Sequence, residues 1–312
     1  MQNIIDAHTH IFHADLEGFT DPYVKIRYEA FGGIRFENGA YFQKMPLFIR
    51  DCNFDAEMLI KLMDANSVSR TIIMQNGSPL FMGDTVKAVK AYPERISGAM
   101  VLNMEGENCL DEIEQYARSG LCAIKFDMND DMGIISAHRF PGLQMNGELI
   151  YKVLHAAQKY ALTVVIDTGK PAGPGYQADA YREIISAFKS VHFVICHLGR
   201  PFYAMNNNEG LGREVERMWR LAEYSNVWFD VAALAEVIAV AEEYPHPSCA
   251  RFCREFIDRF GANKLIWGSD APGTLSDNTY KQLINIYDHS PLFTQREKDL
   301  MFYENAIVAY KL

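Results

Sequence analysis

The chain has 312 residues, 49% of them hydrophobic, enough to bury a substantial core as one large α/β barrel or two smaller domains. A formal charge of -10 argues against nucleic acid or an anionic membrane surface as partner, because phosphate binding needs clustered Lys and Arg; a small-molecule substrate is the expected partner. No basic leader with a long apolar run opens the sequence and no stretch reads as a membrane span, so a cytoplasmic protein is expected, its six cysteines reduced and mostly buried.

The first element is Ile4-Ile5-Asp6-Ala7-His8-Thr9-His10, an apolar start with two histidines one residue apart. Side chains two apart share a face of a strand, so Asp6, His8 and His10 are expected to point the same way. Two imidazoles on a rigid strand make half of a divalent-metal site. Residues 11–53 then read as an irregular insertion, punctuated by Gly18, Asp21-Pro22, Gly32-Gly33, Gly39 and Pro46. It is too rich in aromatics for a linker, Phe12, Tyr28, Phe42 and Phe48 among them. A folded cap over a pocket mouth is expected, with cover for barrel surface or a homodimer contact as the other uses.

Asp55 looks like an N-cap before Met58, Leu59, Leu62 and Met63 at helical spacing. From there strands and helices alternate. Strands are expected at 69–75, 96–102, 121–126, 162–166, 191–196, 227–231 and 264–268. Helical stretches lie at 84–92, 109–118, 147–160, 177–189 and 210–223, then over 234–260 with a break near Pro245 and Pro247, with two more to the C-terminus. A long turn-rich loop occupies 128–146. Runs such as Thr163-Val164-Val165-Ile166 are apolar on both faces, as in a covered parallel sheet. With the first strand this makes eight, and predicts a (β/α)8 TIM barrel over 1–312 with 11–53 inserted in it. An open doubly wound sheet is disfavoured, since no glycine-rich phosphate loop follows the first strand.

Chemistry in such a barrel collects at the C-terminal ends of the strands. Here those ends carry His8 and His10, Lys125 and Asp127, Asp167, His197 and Asp270. A buried ionisable group is costly unless paired or metal-bound, and one recurs at the same end of five strands. Imidazoles with one or two carboxylates suit Zn²⁺, or a similar ion such as Mn²⁺, with one position left for water.

Four pieces of the chain resemble the amidohydrolase superfamily, in its amidohydrolase-related branch. They are IIDAHTHIF at the start, MDANSVSRTIIMQ near the second strand, FVICHLGRP at the sixth and WGSDAP at the eighth; Tyr303-Glu304-Asn305-Ala306 is similar to that family's final helix. The branch includes aminocarboxymuconate-semialdehyde decarboxylase-like and pyrone-dicarboxylate lactonase-like proteins. The resemblance implies that His8, His10 and Asp270 are metal ligands, that His197 polarises the reactive water or the substrate, and that Asp270 doubles as proton acceptor. One position departs. The fifth strand usually ends in a histidine ligand and here ends in Asp167, which is expected to bind the metal in its place. Lactonase-like relatives work without metal, so this departure bears on the ion and not on the barrel. Lys125 aligns roughly with a fourth-strand lysine that other branches carboxylate; that modification is not expected here.

These residues lead to hydrolysis of an amide or lactone-type bond, with Asp270 taking a proton from an activated water. Non-oxidative decarboxylation of an unsaturated or aromatic acid, metal-free lactone hydrolysis and a non-catalytic binding role are the alternatives. Lys125, Arg139 on the long fourth loop and Arg200 beside His197 are the candidates to hold a substrate carboxylate.

Overall fold

In a computed structural model the described residues are 3–14, 16, 20–76, 78–104, 106–136, 139–204, 209–239 and 241–312, so Gly18 lies outside them. Eight parallel strands, Ile5–Thr9, Arg70–Met74, Ile96–Met100, Ala123–Asp127, Thr163–Asp167, Phe193–Ile195, Val227–Asp230 and Leu265–Ile266, pair in chain order. The last strand returns to the first. Ala7 N–H donates to Trp267 O (3.1 Å), Asp270 N–H to His8 O (2.8 Å) and His10 N–H to Ala271 O (2.8 Å). The result is the expected (β/α)8 barrel.

Its strands are apolar on both faces because both are covered. Ile5, Ile72, Met74, Val165, Val194 and Ile266 pack against one another inside. Their neighbours Val164, Ile166, Phe193 and Phe229 pack outward against the helices. The C-terminal helix Asn305–Tyr310 plugs the bottom: Ala306, Ala309 and Tyr310 join the interior cluster, and Thr163 Oγ1 donates to Ala309 O at 2.7 Å. The opposite end is left for the site. No helix is long and apolar enough to cross a membrane, among the described residues.

The stretch read as irregular contains more order than its glycines suggest. Thr20–Asp21, Ile26–Glu29, Gly33–Phe36 and Tyr41–Gln43 form a four-stranded antiparallel sheet, and Phe12–His13 pairs with Asn53–Phe54. Each strand is four residues or fewer, too short to establish an alternating pattern. The turns are glycine-built. Gly32 has φ +78, and a Cβ there would lie 2.5 Å from Met45 O. The sixth barrel strand also differs from expectation, stopping at Ile195 because the backbone turns left-handed at His197 (φ 58), Leu198 (φ 54), Gly199 (φ 66) and Arg200 (φ 60).

Candidate active site

The pairing of the first strand with the second slips between Asp6 and Thr9. This breaks the expected alternation of Asp6, His8 and His10. Asp6 is turned away from the mouth, accepting from Ser269 N–H (2.9 Å), His8 N–H (3.2 Å) and the Tyr280 hydroxyl (2.5 Å). His8 and His10 line a cavity of about 330 Å³ at the C-terminal end of the barrel.

One donor atom from each of His8, His197 and Asp270 lies within 4.8 Å of the others. Each imidazole is aimed by a partner behind it. His8 Nδ1 donates to the fully buried Asp230 (3.0 Å), and His197 Nδ1 to Ala232 O (2.9 Å). Such outer partners fix which ring nitrogen faces the site. Asp230 also accepts from His197 N–H (2.8 Å), so a single carboxylate anchors both histidines. The left-handed turn that presents His197 is costly for non-glycine residues and is held by several bonds. Trp219 Nε1 donates to Leu198 O (2.7 Å) and Tyr176 to Gly199 O (2.6 Å). Gly268 has a distinct role: a Cβ there would lie 2.7 Å from His8 Cβ, so only glycine lets the eighth strand approach the first this closely.

Asp270 accepts from His10 Nε2 at 2.7 Å and lies 3.8 Å from His8 Nε2. Burial alone favours its protonated form, but the His10 hydrogen bond and the neighbouring imidazoles outweigh this and hold the carboxyl well below the usual range. Burial pushes His10 down to about 3 despite Asp270, leaving it a neutral donor at neutral pH. Burial also lowers His197, yet Asp167 more than compensates and raises it overall.

Asp167 stands apart from the cluster. Arg200 Nη2 donates to both of its oxygens (2.8 Å each), Asn129 Nδ2 donates to Oδ2 (2.9 Å), and His197 Nε2 is 3.4 Å away. Burial would raise its pKa, but Arg200 first and His197 next hold it well below the usual range. The structure thus brings together His8, His197 and Asp270. It places His10 on Asp270 and Asp167 on Arg200. Lys125 lines the cavity, its charge kept against burial by Asp127, Asp167 and Asp270. Arg139 does not line it; the turns of the fourth loop fold it into a small adjoining gap with Lys125, Asp127 and Ile134.

Sequence reasoning missed three residues. Asp230 ends a strand of apolar neighbours and passed as part of it. Lys44 and Glu236 line the cavity from the insertion and from the helix Leu234–Ile238. Asp230 was findable as one more ionisable group at a strand end; the other two carry no local pattern.

His8, His197 and Asp270 fit a divalent ion. Their donor set is nitrogen and oxygen, His8 Nε2 is buried without a hydrogen-bond partner among the described residues, and both rings are oriented from behind. The cluster sits at the C-terminal mouth of the barrel, the end where folds of this kind carry their active sites. The chain belongs to the amidohydrolase family, whose model matches residues 5–312. Its structure is similar to a probable 2-pyrone-4,6-dicarboxylic acid hydrolase from Acinetobacter baumannii with citric acid bound (TM-score 0.72, 16% identity, 99% of this chain and 100% of that one). It is also similar to an amidohydrolase from Burkholderia multivorans with bound Zn (0.74, 14%, 99% of each). A third similar structure is 5-carboxyvanillate decarboxylase from Sphingomonas paucimobilis (0.58, 14%, 86% of each). No curated protein sequence matches the chain.

Proposed function

We propose that this chain hydrolyses the acyl C–O or C–N bond of a small carboxylate-bearing lactone or amide. The convergence of His8, His197 and Asp270 within 4.8 Å at the barrel mouth carries this reading. His8, His197 and Asp270 would hold one divalent ion, Zn²⁺ by their chemistry, with Mn²⁺ as the other fit. Such an ion supplies a Lewis acid that polarises a carbonyl and makes water more acidic.

The chain's own groups do the rest. Asp270, ionised at neutral pH and within reach of the same point as both imidazoles, accepts the proton of the attacking water. His10 donates to Asp270 and fixes its orientation. As a ligand His197 would be neutral, aimed through Nδ1 by Ala232 O; in the ion-free reading the same imidazole, held above its ordinary pKa by Asp167, would stabilise negative charge developing on the carbonyl oxygen. Lys125 presents its ammonium from the fourth strand to a substrate carboxylate. A second reading, the same hydrolysis without an ion, draws on the engagement of Asp167 by Arg200, which leaves the fifth strand without a free ligand.

The test is a panel of lactones, amides and unsaturated carboxylic acids. Acid release from a lactone or amide is expected, reduced at least about a thousandfold in kcat/KM by Asp270→Asn. Release of CO₂ from an acid substrate, with no hydrolysis, would replace hydrolysis by decarboxylation.

A further inference from the structure

Among the described residues ten large apolar side chains are exposed, and five of them fall between Phe31 and Phe48, in the insertion. The others are spread along the chain from Met58 to Val308. Phe31, Tyr41, Leu47 and Phe48 are 49%, 49%, 65% and 73% exposed. Scattered apolar residues on a surface are ordinary, whereas a contiguous group marks a contact.

These four share one surface. Phe31 N–H donates to Arg50 O (2.8 Å), and the Arg50 guanidinium lies over the Phe31 ring at 5.7 Å. Leu47 and Phe48 occupy the turn just before Arg50, closed by Ile49 N–H to Pro46 O (2.9 Å). The Gln43 side chain ties in the third ring: it accepts from the Tyr41 hydroxyl and donates to Phe31 O, both at 2.6 Å. Arg35 stacks on Tyr41 at 5.4 Å. Rings held in place this way lose little freedom on association. Tyr41–Gln43 is also the outer strand of its four-stranded sheet, with no charge or proline to keep another chain off.

Area and charge both point to the occupant. At about 200 Å² per ring, the three rings expose about 350 Å², and Leu47 adds to it. A stable dimer needs about 800 Å² from each partner, about six-tenths of it apolar, so these four side chains supply most of the apolar part of such a face. Residues 20–54 carry five Lys and Arg against four Asp and Glu, while the whole chain carries 30 against 40. Two copies of so acidic a chain repel, and meeting through this near-neutral region keeps their acidic surfaces apart.

We propose that a second copy of this chain docks here, insertion against insertion about a two-fold axis, making the protein a homodimer. Phe42, on the same outer strand as Tyr41, lines the catalytic cavity, so the partner braces one wall of that cavity. The inference goes beyond the hydrolytic reading and does not depend on it.

Sedimentation velocity of the whole chain tests this. Wild type at about 20 µM is expected at twice the 35.5 kDa of one chain, since a contact with a Kd near or below about 1 µM is mostly formed there. Leu47→Glu/Phe48→Glu should weaken association at least about a hundredfold and sediment as a monomer. Both side chains lie mostly in solvent, so the variant should keep the wild-type circular dichroism. Val308→Glu, at an exposed apolar position on the C-terminal helix, should remain a dimer. A wild type that is monomeric at that concentration, or a dimer that survives Leu47→Glu/Phe48→Glu, overturns the proposal. So does a monomeric wild type that pellets with phosphatidylcholine–phosphatidylserine vesicles when the double variant does not, because the face would then take a lipid surface.

Discussion

Arg200 Nη2 donates to both carboxylate oxygens of Asp167 at 2.8 Å, joining the turn after the sixth strand to the end of the fifth. Both groups are largely buried. Removing one partner of a buried pair leaves the other charge uncompensated. Asp167→Asn should therefore cost about 3–5 kcal/mol in urea unfolding. The double variant Asp167→Asn/Arg200→Met should recover part of that loss. Metal bound per folded molecule should be unchanged in Asp167→Asn, as measured by elemental analysis.

Asp230 orients His8 through Nδ1 and His197 through its backbone N–H. Partners of this kind are worth about 10–100-fold in metal affinity or activity. Asp230→Asn is expected to weaken Zn²⁺ binding by that factor in competition with a chelator. Undiminished affinity would mean that His8 needs no such support.

Gly268 tolerates no side chain beside His8, because its Cβ would stand 2.7 Å from that of His8. Gly268→Ala should destabilise the fold by about 1–3 kcal/mol through overpacking. It should also lower Zn²⁺ affinity, since the displaced atoms belong to His8, a proposed ligand. Chelator competition and thermal unfolding check the two effects separately.

Asp6 is fully buried, and desolvation raises its pKa to about 6, against the lowering effect of bonds from Ser269, Tyr280 and His8. A carboxyl whose folded pKa exceeds its unfolded value stabilises the fold fully below the unfolded value, and that contribution is lost as pH rises through the folded value. Wild type should thus lose stability relative to Asp6→Asn as pH rises from 3.8 through about 6. The change in the difference should be on the order of 3 kcal/mol. Denaturant unfolding of both proteins across that range measures it; a pH-independent difference would contradict the assignment.

Much of this was legible in the sequence. The barrel could be read because its strands are apolar on both faces and each is followed by an amphipathic helix. His8, His197 and Asp270 could be read because ionisable groups at strand ends are rare without a purpose. What could not be read depends on distance between elements. The slip between Asp6 and Thr9 turns Asp6 from the cavity, and nothing in the local residues marks it. Whether Arg200 faces a substrate or Asp167 depends on four consecutive left-handed residues. Arg139 was expected at the cavity because its loop is long, but that loop folds back on itself through bonds such as Phe140 N–H to Ile134 O (2.9 Å). Lys44 sits in an insertion whose short strands give no periodic signal.

The most direct test of the account is a Zn²⁺ titration of the wild-type chain beside Asp270→Ala and Asp167→Asn. One equivalent bound tightly by wild type and Asp167→Asn, and lost in Asp270→Ala, is the predicted result. Binding that survives in Asp270→Ala and disappears in Asp167→Asn would contradict it.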